Sequence, residues 1–242
     1  MTKIATDTYS FDYLRKEGYL YVDKTGEMLP LVDGSAGNQF FCARPRRFGK
    51  SLLISTLAAL YEGKKELFTG LKIEDKWDWT RRWPVIRLDM GSTQARNREE
   101  FREKLNFQLD SNLRRLEISP RREIKDVAAK FQALIEDAAR ANAPSEANPQ
   151  GDGMCVLLID EYDKPLLGRL GREDVAEFRD ELKAFYSVFE FKLNDNAEAA
   201  LAQIKEKGYD EKYRREGKRL VLAGVAFDAE MRNLSDRRIE EK

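Results

Sequence analysis

The chain has 242 residues, enough for one large domain or two small ones. Charged residues make up 36%, but 43 Lys+Arg balance 43 Asp+Glu, so net charge gives no whole-chain case for nucleic acid or anionic lipid. Histidine is absent and there are only two cysteines, Cys42 and Cys155. This excludes Ser/His/Asp and Cys/His catalysis, imidazole-ligated zinc, an all-thiolate zinc site and a disulfide scaffold.

Along the chain, the first seven residues carry no continuous apolar stretch, so no signal peptide is expected. Tyr21-Val22-Asp23-Lys24-Thr25 precedes the first strand and, if the loop after that strand holds a nucleotide, is expected to contact its base. Residues 39–43 form a short apolar run, read as a buried strand. Residues 51–61 carry Leu52, Leu53, Leu57 and Leu60 at helical spacing, and Gly63 stops the helix. Trp77, Trp79 and Trp83, beside Arg81 and Arg82, read as hydrophobic cover over a sheet edge, with stacking on nucleic-acid bases as the functional alternative.

Residues 84–89 read as a second strand, and residues 97–116 and 124–138 as two helices with apolar stripes. A polar break over residues 142–153 reads as a surface loop. Residues 154–159 are apolar throughout, as expected of a strand covered on both faces. This run is far short of the ~20 residues of a membrane span, so a cytoplasmic protein with no membrane contact is expected. Residues 173–187 read as helix, 188–193 as strand, 197–207 as helix and 220–227 as a last strand. Alternating strands and helices imply an α/β fold built on a parallel sheet with right-handed crossovers.

The strand at residues 39–43 runs into Arg44-Pro45-Arg46-Arg47-Phe48-Gly49-Lys50-Ser51-Leu52 and then a helix. Gly49-Lys50-Ser51 match the end of the phosphate-loop pattern G-x-x-x-x-G-K-[ST], while Arg44 replaces its first glycine. Gly49 lets backbone amides curl around phosphate oxygens at a helix N-terminus. Lys50 would neutralise β/γ-phosphate charge, and Ser51 would ligate Mg²⁺. Arg44, Arg46 and Arg47 add positive charge, which suits triphosphate and nucleic acid alike. Downstream, Cys155-Val156-Leu157-Leu158-Ile159-Asp160-Glu161 has the Walker B form. A carboxylate at the C-terminal edge of a parallel strand lies where open α/β sheets bind ligands. Asp160 would hold the Mg²⁺ shell, and Glu161 would orient or deprotonate the attacking water.

These segments, together with Tyr61-Glu62-Gly63-Lys64-Lys65-Glu66-Leu67-Phe68 and Tyr162-Asp163-Lys164-Pro165-Leu166, resemble the AAA-ATPase-like family over about residues 5–187. Members of that family are bacterial P-loop proteins with a C-terminal PD-(D/E)XK nuclease-like domain, and Arg44 belongs to the family's own form of the loop. The resemblance implies a P-loop NTPase-like parallel sheet flanked by helices over residues 1–187. It also implies a nuclease-like strand–helix–strand fragment over residues 188–242. Glu190 and Lys192 resemble half of the nuclease motif, but the strand with its metal-binding Asp is missing. Asp180, the nearest upstream acid, lies on an expected helix. The chain thus resembles an internally shortened member, whose tail is expected to pack on the same sheet. The strand at residues 188–193 would pair beside residues 39–43 or 154–159, with Asn194 as a γ-phosphate sensor. The expected function is Mg²⁺-dependent ATP binding, with hydrolysis, protein partners and arginine finger left open. The alternatives are a nucleic-acid enzyme with an incomplete nuclease site and a non-catalytic truncated remnant.

Overall fold

The computed structural model describes residues 3–5, 8–32, 48–119, 123–186, 190–193, 221–228 and 233–241. Arg44, Arg46 and Arg47, the expected strand at residues 39–43, Cys42, Asn194 and the expected helix at residues 197–207 lie outside them.

The first compact unit comprises residues 1–26 and 46–185. It opens on α1 (Phe11–Lys16), capped by the Ser10 hydroxyl, which accepts from the Tyr13 amide. Phe11 is fully buried, with its ring against Phe68 and Tyr21. In the second unit a short α2 (Leu29–Val32) follows. Back in the first, α3 (Lys50–Tyr61) ends as expected at Gly63, whose φ of 70° is a left-handed conformation that only glycine adopts at no steric cost. The indoles sit beneath the end of α3: Tyr61 meets Trp77 and Trp83 edge-on at 5.6 and 5.5 Å, and Trp79 packs on Phe68. They are structural cover.

Two parallel strands follow the expected positions. β1 (Val85–Asp89) leads through a 3-10 turn at Met90–Thr93 into α4 (Arg98–Arg115). The Asn97 side chain caps α4 by accepting from the Glu100 amide. α5 (Val127–Ala141) starts likewise on Asp126, which accepts from the Ala129 amide. β2 (Val156–Asp160) pairs with β1 in the register Val85↔Val156 through Asp89↔Asp160. β2 is half-buried along its whole length, where residues 154–159 were expected to be covered on both faces, and Met154 is exposed. The short α6 (Lys164–Leu167) and then α7 (Val175–Phe185) complete the unit.

The polar loop between α5 and β2 is organised around Asn142, which is 4% exposed. Its Nδ2 donates to Asp152 Oδ1 and the Met154 carbonyl, and its Oδ1 accepts from Asn148 Nδ2. Asp152 Oδ2 in turn accepts from Arg81 and from the Trp83 indole. α4, α5 and α7 pack through Phe101 on Phe178 and Phe131 stacked on Phe185, with centroids 5.3 and 4.4 Å apart.

One face of α4 closes the free edge of β1. The Arg87 amide donates to Asn112 Oδ1 at 2.9 Å, and Asn112 Nδ2 donates back to the Arg87 carbonyl at 2.8 Å. Gln108 repeats this at Asp89, accepting from its amide at 2.8 Å and donating to its carbonyl at 2.7 Å. Arg115 donates to the Val85 carbonyl. The spacing works because four helical residues rise about 6 Å and two strand residues about 6.6 Å. Each amide side chain thus stands in for a neighbouring strand, and the edge is sealed against further pairing.

In the second unit, β3 (Glu190–Leu193) pairs parallel with β4 (Val221–Asp228), and β4 pairs antiparallel with β5 (Asn233–Glu241). The expectation that residues 188–193 pair beside residues 39–43 or 154–159 falls partly on residues outside those described. The described partner of β3 is β4, which joins it with β5 in a three-stranded sheet, while β2 pairs with β1 in a two-stranded one. β4 is an eight-residue strand, Val221–Asp228, whose first seven residues are uncharged, and it pairs on both edges.

Candidate functional site

The expected phosphate-loop residues that the structure describes stand at the start of α3. Gly49 is the residue before its first turn, with φ 76° and ψ 23°. A side chain here would be strained whatever the space around it, so the pattern's glycine is required by backbone geometry. Lys50 and Ser51 are the first two helical residues and Leu52 the third. Their amides lie among the four N–H groups that an α-helix leaves without internal partners, at its positive dipole end. Phe48 precedes them and is 64% exposed.

A cleft of about 920 Å³ opens beside these residues, within the first unit. Ser51, Ile54 and Ser55 of α3 line one side, with Tyr9 and Ser10. Phe107, Gln108, Ser111, Asn112 and Arg115 of α4 line the other. The ends of both strands and the turns after them, including Asp89, Gly91, Asp160 and Glu161, complete it. Ser51 and Asp160, joined in the sequence reading only by motif, therefore share one cavity.

At the end of β2, Asp160 Oδ1 accepts from the Glu161 amide at 2.9 Å. Glu161 has φ 49°, one of two non-glycine residues with positive φ among those described. Such a conformation is strained for a side-chain-bearing residue and gathers at functional sites. Glu161 Oε2 pairs with Lys164 Nζ at 3.4 Å. Of the residues lining the cleft, Arg87 and Arg115 both donate to Glu62 Oε1, the latter at 3.1 Å, and Glu62 Oε2 pairs with Lys64 at 3.0 Å. Burial, and then the neighbouring Arg87, pulls the Arg115 guanidinium below its usual pKa, against the opposing pull of Glu62.

Sequence reasoning missed Asp89 and Gly91. Their signal was present, since an Asp ending one parallel strand beside an Asp ending its neighbour is legible once the strands are known to pair in register. By contrast, the residues from Tyr21 to Thr25 do not line the cleft. Asp23 Oδ1 accepts from the Thr25 amide and hydroxyl, Asp23 Oδ2 accepts from the Lys72 amide, and Thr25 Oγ1 accepts from the Ile73 amide. The segment is a latch onto the loop around Lys72. Burial works against the Asp23 charge, but the hydrogen bonds from Thr25 and Lys72 hold its carboxyl below the usual range.

Mg²⁺ is compatible with these residues. No group of three or more His, Cys, Asp or Glu among the described residues is placed to hold a metal by itself. Mg²⁺ does not need one, because it takes one or two protein oxygens and completes its shell with phosphates and water. A hydroxyl at Ser51 and a carboxylate at Asp160 on one cleft match that requirement. Among the described residues, no helix is long and apolar enough to cross a membrane.

Comparison with known proteins bears on the family. A family of AAA-ATPase-like proteins, described as predicted AAA-ATPase, matches residues 5–203. The chain is 39% identical over 188 residues to an uncharacterized protein encoded in the vnfD 5′ region of Azotobacter chroococcum mcd 1. That alignment covers 77% of this chain and 34% of the relative, so the chain spans about a third of the relative's length. No solved structure matches.

Proposed function

The chain belongs to the AAA-ATPase-like family. We propose that it binds ATP with Mg²⁺ in the cleft between α3 and α4. The observation that carries this reading is that Ser51 at the helix start and Asp160 and Glu161 at the strand end line the same cavity. Gly49 and the first amides of α3 cradle the phosphates, and Lys50 balances β/γ-phosphate charge. Ser51 and Asp160 hold Mg²⁺, which when bound neutralises charge developing on the phosphates. Glu161, without any histidine in the chain to compete for the role, holds the attacking water and takes its proton. Arg44, Arg46, Arg47, Phe48 and Leu52 complete the loop in this reading.

The reading extends to domains. Residues 1–187 form the nucleotide-binding part, and residues 188–242 are a shortened piece of a nuclease-like domain. Glu190 and Lys192, the half of the nuclease motif that the resemblance implies, stand two residues apart on β3. Equilibrium binding of a fluorescent ATP analogue, with and without Mg²⁺, tests the assignment. Saturable Mg²⁺-dependent binding lost in Lys50→Ala is the expected result. Binding undiminished by Lys50→Ala overturns it.

A further inference from the structure

Glu161 can take a water's proton only if its carboxylate is held in one place, and the structure supplies a seat for it. Gly91 lies in the turn after β1. A methyl group on its Cα would overlap Glu161 Oε2 and come within 3.0 Å of Asp89 Oδ1. Gly91 is not among the residues with positive φ, so alanine meets no backbone strain there. The bare face of Gly91 is therefore needed for space alone. The atoms that claim this space are the tips of two acidic side chains.

The seat is itself fixed. Asp89 Oδ1 accepts from the Gly91 amide at 2.9 Å. The Ser92 hydroxyl donates to the Asp89 carbonyl at 2.8 Å. Gln108 of α4 grips Asp89 through its amide and carbonyl and also donates to Ser92 Oγ at 3.1 Å. In-register pairing of Asp89 with Asp160 then sets the turn beside the end of β2. On the other side, Lys164 pairs with Glu161 Oε2 and the left-handed backbone fixes where the side chain departs.

We propose that Gly91 is a positioning residue for hydrolysis, its bare Cα face seating the Glu161 carboxylate, with Gln108 holding that seat in place. The inference rests on the assignment of Glu161 as the group that activates water. A side chain at residue 91 moves the carboxylate while leaving the phosphate loop and Asp160 untouched. Binding and turnover should then separate, because a displacement of about 1 Å in a catalytic group costs up to roughly 100-fold in rate.

The test is ATP turnover and ATP-analogue affinity for the full chain and for Gly91→Ala, Glu161→Gln and the double variant. In Gly91→Ala the analogue Kd should stay within about twofold of the parent while kcat falls by roughly 10- to 100-fold. In the Glu161→Gln background, Gly91→Ala should lower kcat no further, because no base remains to misplace. A purely structural glycine would lower both backgrounds alike. Should Gly91→Ala fail to fold, Gln108→Ala serves instead, loosening the seat without filling it and lowering kcat at unchanged Kd. Unchanged kcat in Gly91→Ala, equal losses in both backgrounds, or a parent chain that binds ATP without turning it over each overturns the inference. A parent chain that binds no ATP overturns the nucleotide assignment and this inference with it.

Discussion

Asn112→Ala removes the central clasp between α4 and β1. Asn112 is 4% exposed, and its amide makes both hydrogen bonds to the Arg87 backbone, accepting at 2.9 Å and donating at 2.8 Å. It also accepts from Arg115 at 2.7 Å. Alanine leaves the Arg87 N–H and C=O without these partners. A buried backbone group stripped of its partner costs about 1–3 kcal/mol. Arg87 lines the open cleft, so water reaches part of the gap and each group falls at the low end of that range. The two together give about 2–3 kcal/mol. Arg115 adds little, since it keeps Glu62 and the Val85 carbonyl. For a domain of this size, ~1 kcal/mol lowers Tm by about 2–4 °C, so the expected fall is about 4–12 °C. Tryptophan fluorescence is the right assay, because the chain's three tryptophans, Trp77, Trp79 and Trp83, all belong to the first unit. The variant should also associate more readily, since an unsealed strand edge templates pairing. A midpoint unchanged within error would refute the view that Asn112 substitutes for a neighbouring strand.

Phe131→Ala should cost about 3–5 kcal/mol in the same assay, because the ring is 1% exposed and stacked on Phe185 at 4.4 Å. Asp23→Ala should loosen the latch onto Lys72 and lower the melting midpoint by a few degrees, yet leave ATP-analogue affinity unchanged; a large loss of affinity would instead favour the nucleotide role expected of that segment from the sequence. Burial raises the Cys155 thiol from 9.0 to about 11 and the Tyr61 and Tyr162 hydroxyls from 10.0 to about 12. These acids stay protonated longer in the folded chain than in the unfolded one, so stability is fully present below pH 9 and declines as pH rises from about 9 to 12. Fluorescence-monitored urea midpoints across that range should fall steadily, and a flat profile would contradict the burial of all three groups.

α3, α4, α5, α7 and the two strands of the first sheet were legible because their signals are local, whereas the short α1, α2 and α6 carry too few periodic residues to announce themselves. Apolar spacing marked α4 and α5. Gly63 ended α3 because only a glycine takes that φ freely. Residues 154–159 gave β2 to within two residues at each end. β5 was not seen, because Asn233–Glu241 alternates charged and apolar residues weakly and gains its identity by pairing with β4. Gln108 and Asn112 were hidden for a different reason. On a helix they read as polar surface, and their role exists only because residues four apart on α4 meet residues two apart on β1.

This points to how the site is held together. The motif residues themselves make few of the contacts that fix them. Asp160 is set by its register with Asp89, Asp89 by the amide of Gln108, and the room for Glu161 by the absence of a side chain at residue 91. Lys50 and Ser51 are placed by a separate element, the left-handed residue that starts α3. Two independent supports therefore converge on one cleft. Changes along the face of α4 should alter the acidic half of the site while leaving the phosphate loop as it is. Substitutions at Gln108 and at Lys50 should thus separate: the first should act on turnover and the second on binding. A Gln108→Ala chain that lost nucleotide affinity as completely as Lys50→Ala would show the two supports to be one.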